Sequence, residues 1–269
     1  MTQAYYLFCF ARNDFIGDSV SGFGLTKESE LFKIKIKDLA LIVSKVSLEE
    51  FAGPGSDERL NNVEWITPRA LRHGQVVQEI SERSPVLPAS FGTLFSSEEN
   101  LISLAESNYE VILDFFYLLE NRQEWAVKLY LDRDRLKKVF FKKRVGETET
   151  ELSKLSPGVR YFKEKQIQAA IEKDIISWVN SEIAKLERQL KSISENLKSR
   201  KSNKTVFDEN EQELVSNWAI LVDSSGLEKL EYFASMTNCD PYLDGLTIRI
   251  SGPWPPYSFA PVLEMESKE

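Results

Sequence analysis

Residues 167–198 read IQAAIEKDIISWVNSEIAKLERQLKSISENLK. Through them Ile167, Ile171, Ile175, Val179, Ile183, Leu186, Leu190, Ile193 and Leu197 step by fours and then by alternating threes and fours. That spacing draws one apolar stripe along a helix and leaves Asp, Glu, Lys and Arg on its other faces. No Gly or Pro occurs from Val159 to Ser225, so nothing in the chain interrupts the helix before its expected end near Lys198. Only its last two heptads keep a strict a/d pattern, too few for a coiled coil. A single apolar stripe has to lie against another layer.

The flanking sequence supplies that layer. Upstream, Trp125, Val127, Leu129 and Leu131 alternate with Ala126, Lys128 and Tyr130, a strand pattern. Downstream come a strand at Trp218–Val222, a helix at Leu227–Thr237 and a strand at Leu246–Ile250, with turns at Asp240-Pro241 and Asp244-Gly245. Residues 122–250 therefore read strand, helix, strand, helix, strand. This order is compatible with a ferredoxin-like layer of helices on an antiparallel sheet.

Residues 1–121 form a first α+β domain on the same reasoning. Tyr5–Ala11 is a buried strand, Leu31–Lys37 an alternating one, and Ala40–Val46 a third after a turn at Asp38-Leu39. Gly53–Asn62 reads as a loop. A helix is expected from Thr67, as its cap before Pro68, to about Arg83. Leu87–Phe95 reads as a strand and Ser97–Leu119 as one continuous helix with a wide apolar face. The fold expected is α+β: two layered domains and, over 251–269, a tail rich in Pro and aromatics.

Composition excludes several classes. Lys and Arg number 34 against 42 Asp and Glu, a net charge of −8 that opposes phosphate binding as a main task. The basic run Arg133–Arg144 is read as a solvated helix face followed by a mobile loop. The longest unbroken apolar run, Ala4–Ala11, is eight residues, where a membrane helix needs about twenty. No Lys or Arg precedes it, so it is not read as a secretory leader. Cys9 and Cys239 are read as free thiols of a reducing compartment, in which the Asn203-Lys204-Thr205 sequon has no role.

Chemistry is sparse. His73 is the single histidine, without a nucleophile elbow or a cysteine signature, and is read as a structural residue on a helix. A His/Cys zinc site is not expected. No phosphate-binding glycine motif occurs, and Ser21-Gly22-Phe23-Gly24 lacks the basic residue of an RNA-recognition motif. Neither catalytic residues nor cofactors are expected. An RNA-binding module would need a basic sheet face with exposed aromatics, and an enzyme would need a carboxylate pair that folding brings into a cleft.

Ser251–Phe259 reads SGPWPPYSF, three prolines and three aromatics in nine residues. Proline fixes φ and removes a donor, so the segment is extended and joins neither helix nor central strand. Its aromatics have to meet protein, as an intramolecular latch or as a partner-binding tail.

Gly252-Pro253-Trp254-Pro255-Pro256-Tyr257-Ser258-Phe259, directly after an alternating strand, resembles the terminal signature of the gas vesicle protein F/L family (GvpF/GvpL). So does the block of His73, Val86-Leu87-Pro88 and Phe91-Gly92-Thr93 with Phe95 following. Glu124 at the head of a strand, Gly158 with Tyr161, Trp218–Val222 and Tyr5-Tyr6-Leu7-Phe8 fit as well, although Cys9-Phe10 stand where small residues are expected. Only 260–269 and the basic stretch near 138–144 lack a counterpart. The resemblance implies a minor accessory component of gas vesicles, cytoplasmic and on the vesicle's gas-facing side. Its implied partner is the hydrophobic main shell subunit (GvpA), and other gas vesicle accessory proteins are possible ones; neither nucleic acid nor membrane is implied. The role implied is to help nucleation or to prevent shell-subunit aggregation. Two stretches suit an apolar partner: the long helix through Ile183, Leu186, Leu190 and Ile193, and the strand carrying Leu246, Ile248 and Ile250, by strand addition. The same residues also suit a core.

Overall fold

The structure is a computed structural model. It describes residues 3–17, 20–152, 155–194, 196–200 and 205–264, without the side chains of 143–152. Two compact units divide the chain: residues 1–124 together with 253–269, and residues 125–252.

In the first unit, β1 (Gln3–Arg12) is followed by the short α1 (Asn13–Ile16), then β2 (Leu31–Ile36) and β3 (Leu39–Ser47). The turn between β2 and β3 is Lys37-Asp38, one residue earlier than expected, with Lys37 at φ 50°. Next come α2 (Leu48–Ala52), α3 (Ser56–Asn61), α4 (Val63–Ser81), β4 (Val86–Pro88), β5 (Leu94–Phe95), α5 (Glu98–Ser107) and α6 (Tyr109–Leu118). The sheet runs β2-β3-β1-β4, and β5 also pairs with β1. Leu39, Ala40, Leu41, Ile42 and Val43 are all fully buried, so both faces of β3 are covered. On one face Tyr6, Phe8, Cys9 and Ile42 join Val76, Val77 and Ile80 of α4 in one core. Pairing of β1 with β3 slips between Leu7 and Cys9. This bulge turns two adjacent residues, Phe8 and Cys9, to the same side.

Four sequence expectations for this unit need correction. Residues 53–62 contain α3. Helix α4 starts at Val63 rather than near Thr67, because the Asn62 side chain accepts the amides of Glu64 and Trp65. That capping outweighs the one amide donor Pro68 lacks inside the helix. Residues 87–95 are two short strands around a turn. The helix expected over 97–119 breaks at the buried Asn108, whose φ of −112° and ψ of 17° are not helical.

The second unit holds most of β6 (Gln123–Leu131), then α7 (Arg133–Leu152), α8 (Pro157–Ile193), β7 (Leu197–Ser199), β8 (Glu213–Val222), α9 (Ser224–Cys239) and most of β9 (Leu246–Trp254). Its sheet is ordered β7-β8-β6-β9. The stripe on α8 packs as its spacing requires: Ile171, Ile175, Val179, Leu186 and Leu190 meet Val127, Leu129, Trp218 and Ile220. Each such aliphatic side chain contributes about 1.5–3 kcal/mol on burial. Helix α8 ends five residues before Lys198, and β7 follows where helix was expected. Nor is the basic run a loop after one helical face: helical backbone continues to Leu152, while the side chains of Lys143 and Arg144 lie outside the description. The sequon residues Asn203 and Lys204 also lie outside the described residues.

Candidate functional site: a histidine under the C-terminal strap

Within the first unit, motif residues from three distant parts of the chain meet around His73. Helix α4 presents this residue inward, 3% exposed. Phe8 stacks on its ring at 5.6 Å between centroids, and Phe91 approaches edge-on at 6.0 Å. The Tyr6 hydroxyl is 2.9 Å from Nδ1, while Nε2 is 3.1 Å from both the Ala89 carbonyl and the Tyr257 hydroxyl.

These partners fix the tautomer. A carbonyl only accepts, so Nε2 carries the proton shared between Ala89 and Tyr257. Nδ1 then accepts from the Tyr6 hydroxyl, whose oxygen in turn accepts the Gly92 amide at 3.2 Å. The chain of bonds is closed with a neutral ring. Burial pushes the His73 pKa down to about 4, against a smaller upward pull from the Ala89 carbonyl. Burial likewise raises Tyr257, to about 12, and Tyr6 further. All three are uncharged at neutral pH, which suits a structural joint rather than proton transfer.

The Phe91-Gly92-Thr93 motif builds the turn that delivers these groups. The Thr93 amide bonds the Ser90 carbonyl at 3.2 Å and the Thr93 hydroxyl bonds it at 2.7 Å. Gly92 has φ +86°, which the third position of such a turn requires. On either side of the turn Ala89 bonds Phe8 and Thr93 bonds Leu7, so both ends are sewn to β1. Pro88 is buried at the end of β4, opposite Cys9.

The C-terminal segment lies across this site as a strap. Gly252, Pro253 and the half-exposed Trp254 continue the extended backbone of β9. Pro255 and Pro256 are buried, and a turn follows in which Phe259 and Ala260 bond the Pro256 carbonyl. Phe259 is buried. Besides Tyr257, two anchors hold the strap. The buried Glu124 carboxylate accepts the Ser258 amide at 3.1 Å and the Ser258 hydroxyl at 2.8 Å. The buried Asn108 donates to the Glu264 carbonyl at 2.9 Å and accepts the Glu264 amide at 2.9 Å. Of the two roles open to the tail, the described part is an intramolecular latch; 265–269 lie outside the described residues.

The sequence offered His73, Phe91-Gly92-Thr93 and the tail as motif residues, but it read 87–95 as a strand and gave no role in this site to Tyr6, Asn108 or Glu124. For Asn108 a signal existed: Ser107-Asn108 is a helix-terminating pair inside an otherwise apolar pattern.

The expected partner-binding residues sit elsewhere, in the second unit. Leu186, Leu190, Leu246 and Ile248 are buried in its core, and Ile183, Ile193 and Ile250 are half-buried against it. Ile183 also lines a cavity of about 340 Å³ with Arg133, Asn180 and Glu213. β9 does lie at a sheet edge. At Ile248, however, the Asn238 side chain accepts the amide at 2.7 Å and donates to the carbonyl at 2.9 Å. Among the described residues no cluster of His, Cys, Asp and Glu could hold a metal, and no helix is long and apolar enough to cross a membrane.

Comparison with known proteins agrees with this architecture. The chain is 22% identical over 236 residues to gas vesicle protein L of Streptomyces sp. (strain CB03234), covering 86% of this chain and 84% of that protein. Its fold matches the crystal structure of gas vesicle protein GvpF from Anabaena sp. PCC7120, with TM-score 0.64 at 18% identity over 97% of this chain and all of that one. It also matches GvpF from Microcystis aeruginosa, with TM-score 0.62 at 16% identity over 96% and 99% of the two chains. The model of the family described as gas vesicle synthesis protein GvpL/GvpF matches residues 4–261, and the chain thus belongs to the GvpL/GvpF family of gas vesicle proteins.

Proposed function

We propose that this protein is a minor accessory component of gas vesicles that binds the hydrophobic main shell subunit, GvpA, and assists vesicle nucleation or keeps that subunit from aggregating. The observation that carries the reading is the family match along residues 4–261, which spans the whole of the second unit and all but the chain ends of the first. A shell subunit made to line a gas space exposes apolar surface until it is built into the wall, and such surface aggregates unless a partner covers it. The role places the protein in the cytoplasm and then on the vesicle, at the gas-facing side.

The β9 edge suits strand addition through the backbone of Leu246, Ile248 and Ile250, once Asn238 is displaced. Contact through α8 would fall on the rims of its stripe, Ile183 and Ile193, since Leu186 and Leu190 are already core. The test is co-expression with the same organism's main shell subunit and co-purification. A soluble, near-stoichiometric complex supports the reading. Insoluble shell subunit with this protein left free overturns it, in favour of a structural component that meets the shell only during assembly.

A further inference from the structure

We propose that the groove between α7 and α8 is a docking surface for an amphipathic helix whose apolar stripe is flanked by carboxylates. The inference reaches beyond the accessory role, since it specifies a partner's chemistry and holds whether or not that partner is the shell subunit.

The groove has a volume of about 510 Å³ and an apolar floor of Phe141, Ala169 and the buried Ile171, with Lys137, Lys138 and Lys165 at its rim. Lys137 is paired with Glu172 at 2.6 Å. Helical spacing sets Phe162, Lys165, Ala169 and Glu172 on one strip of α8. Phe162 is 70% exposed on that strip and Tyr161 beside it is 57% exposed. Large apolar side chains gathered beside an apolar groove mark an interaction surface rather than scatter. Ala169, exposed and small, admits close approach of another backbone.

Charge selects the occupant. Three lysines line the groove against the single carboxylate of Glu172, in a chain whose net charge is −8. A surface so opposed to the rest of its molecule favours an acidic partner and repels a basic one. A groove between two packed helices accepts a third helix along its length, with apolar side chains entering between the lysines.

The experiment is fluorescence anisotropy on the full chain, with two labelled helical peptides of about 18 residues sharing one Leu stripe. One peptide has Glu flanking the stripe and the other has Lys. The Glu peptide is expected to bind at least about tenfold tighter. Ala169→Trp, which fills the groove, and Lys138→Glu with Lys165→Glu should each weaken it by about tenfold or more, with thermal unfolding unchanged. Phe162→Ser, at a side chain already in solvent, is the second groove variant should Ala169→Trp unfold. Binding of neither peptide, equal binding of both, or binding indifferent to the groove variants overturns the proposal. So does preference for phosphatidylglycerol vesicles over the Glu peptide, or a wild-type dimer in sedimentation that charge reversal dissolves. Shell-subunit capture is read separately on the same variants, so failure of the groove and failure of the accessory role are distinguishable.

Discussion

Asn108 holds Glu264 as a neighbouring strand would. Its side-chain amide and carbonyl each bond the backbone of that one residue at 2.9 Å, across 156 positions of sequence. The same amide group also bonds the Leu104 carbonyl at 2.8 Å. One side chain therefore ends α5 and fastens the far end of the strap. A primary amide matches a peptide group donor for acceptor, and no other residue types than Asn and Gln offer that match.

Replacing Asn108 by Ala removes both bonds while leaving the partners at Glu264 free to meet water. Global stability should fall by only about 1–2 kcal/mol, the cost of modest net hydrogen bonds. Local protection should fall further. Carboxypeptidase should trim the variant back toward Phe259, where burial and the Glu124 anchor resist it, while the parent keeps its end longer. Mass spectrometry of the digest reads this directly. Equal trimming of both proteins would show that Asn108 does not hold the strap.

The two tyrosines on His73 should behave unequally. Tyr6→Phe strands the buried His73 Nδ1 and the part-buried Gly92 amide, and should cost about 2–3 kcal/mol. Tyr257→Phe removes only one of two acceptors for the Nε2 proton, because the Ala89 carbonyl remains. Its cost should stay near 0.5–1 kcal/mol. Urea unfolding of both variants, with midpoints and slopes compared, checks the ordering.

How far these features could be read in the sequence depends on whether their cause is local. The stripe on α8 as far as Ile193 and the alternation in β2 and β6 are set by periodicity, and they stand where expected; the strap is extended only as far as Trp254 and then turns at Pro256. Boundaries failed where one side chain bonds the backbone. Asn62 moved the start of α4, Asn108 split a helix, and the Ser90–Thr93 turn cut a nine-residue strand into two pieces. The histidine joint was half legible. That His73 is structural followed from the lack of companions for it. That Tyr6 and Tyr257 complete it depends on strand register, and β1 carries a bulge that no local pattern announced.

Acid should loosen the first unit through His73. Its folded pKa is near 4, against an ordinary value of 6.5, so the unfolded chain takes up the proton first. Stability from this site is full above about pH 6.5 and is lost as pH falls through 6.5 toward 4, by about 3 kcal/mol in all. His73→Gln keeps a hydrogen-bonding side chain without the titration, and should flatten the profile over that window although it lowers stability at pH 7. Denaturant midpoints of both proteins from pH 7.5 to pH 4 decide it. Parallel profiles would mean that other groups set the acid response.

Asn238 should act as a guard on the second sheet. In an edge strand the amide and carbonyl of one residue point outward together, a ready template for another strand. Asn238 occupies that pair at Ile248, from the last turn of α9. Asn238→Ala should cost about 1–2 kcal/mol, and it should open the edge of β9 from Leu246 to Ile250. A covered edge becomes an available one, so the variant should self-associate at concentrations where the parent does not. If strand addition is how the shell subunit is held, the variant should also capture it faster. Sedimentation velocity at rising concentration tests the first expectation, and association rates with the shell subunit test the second. A variant that stays monomeric and captures no faster would mean that this edge is protected by more than one side chain, and would move the search for the partner surface to the helices.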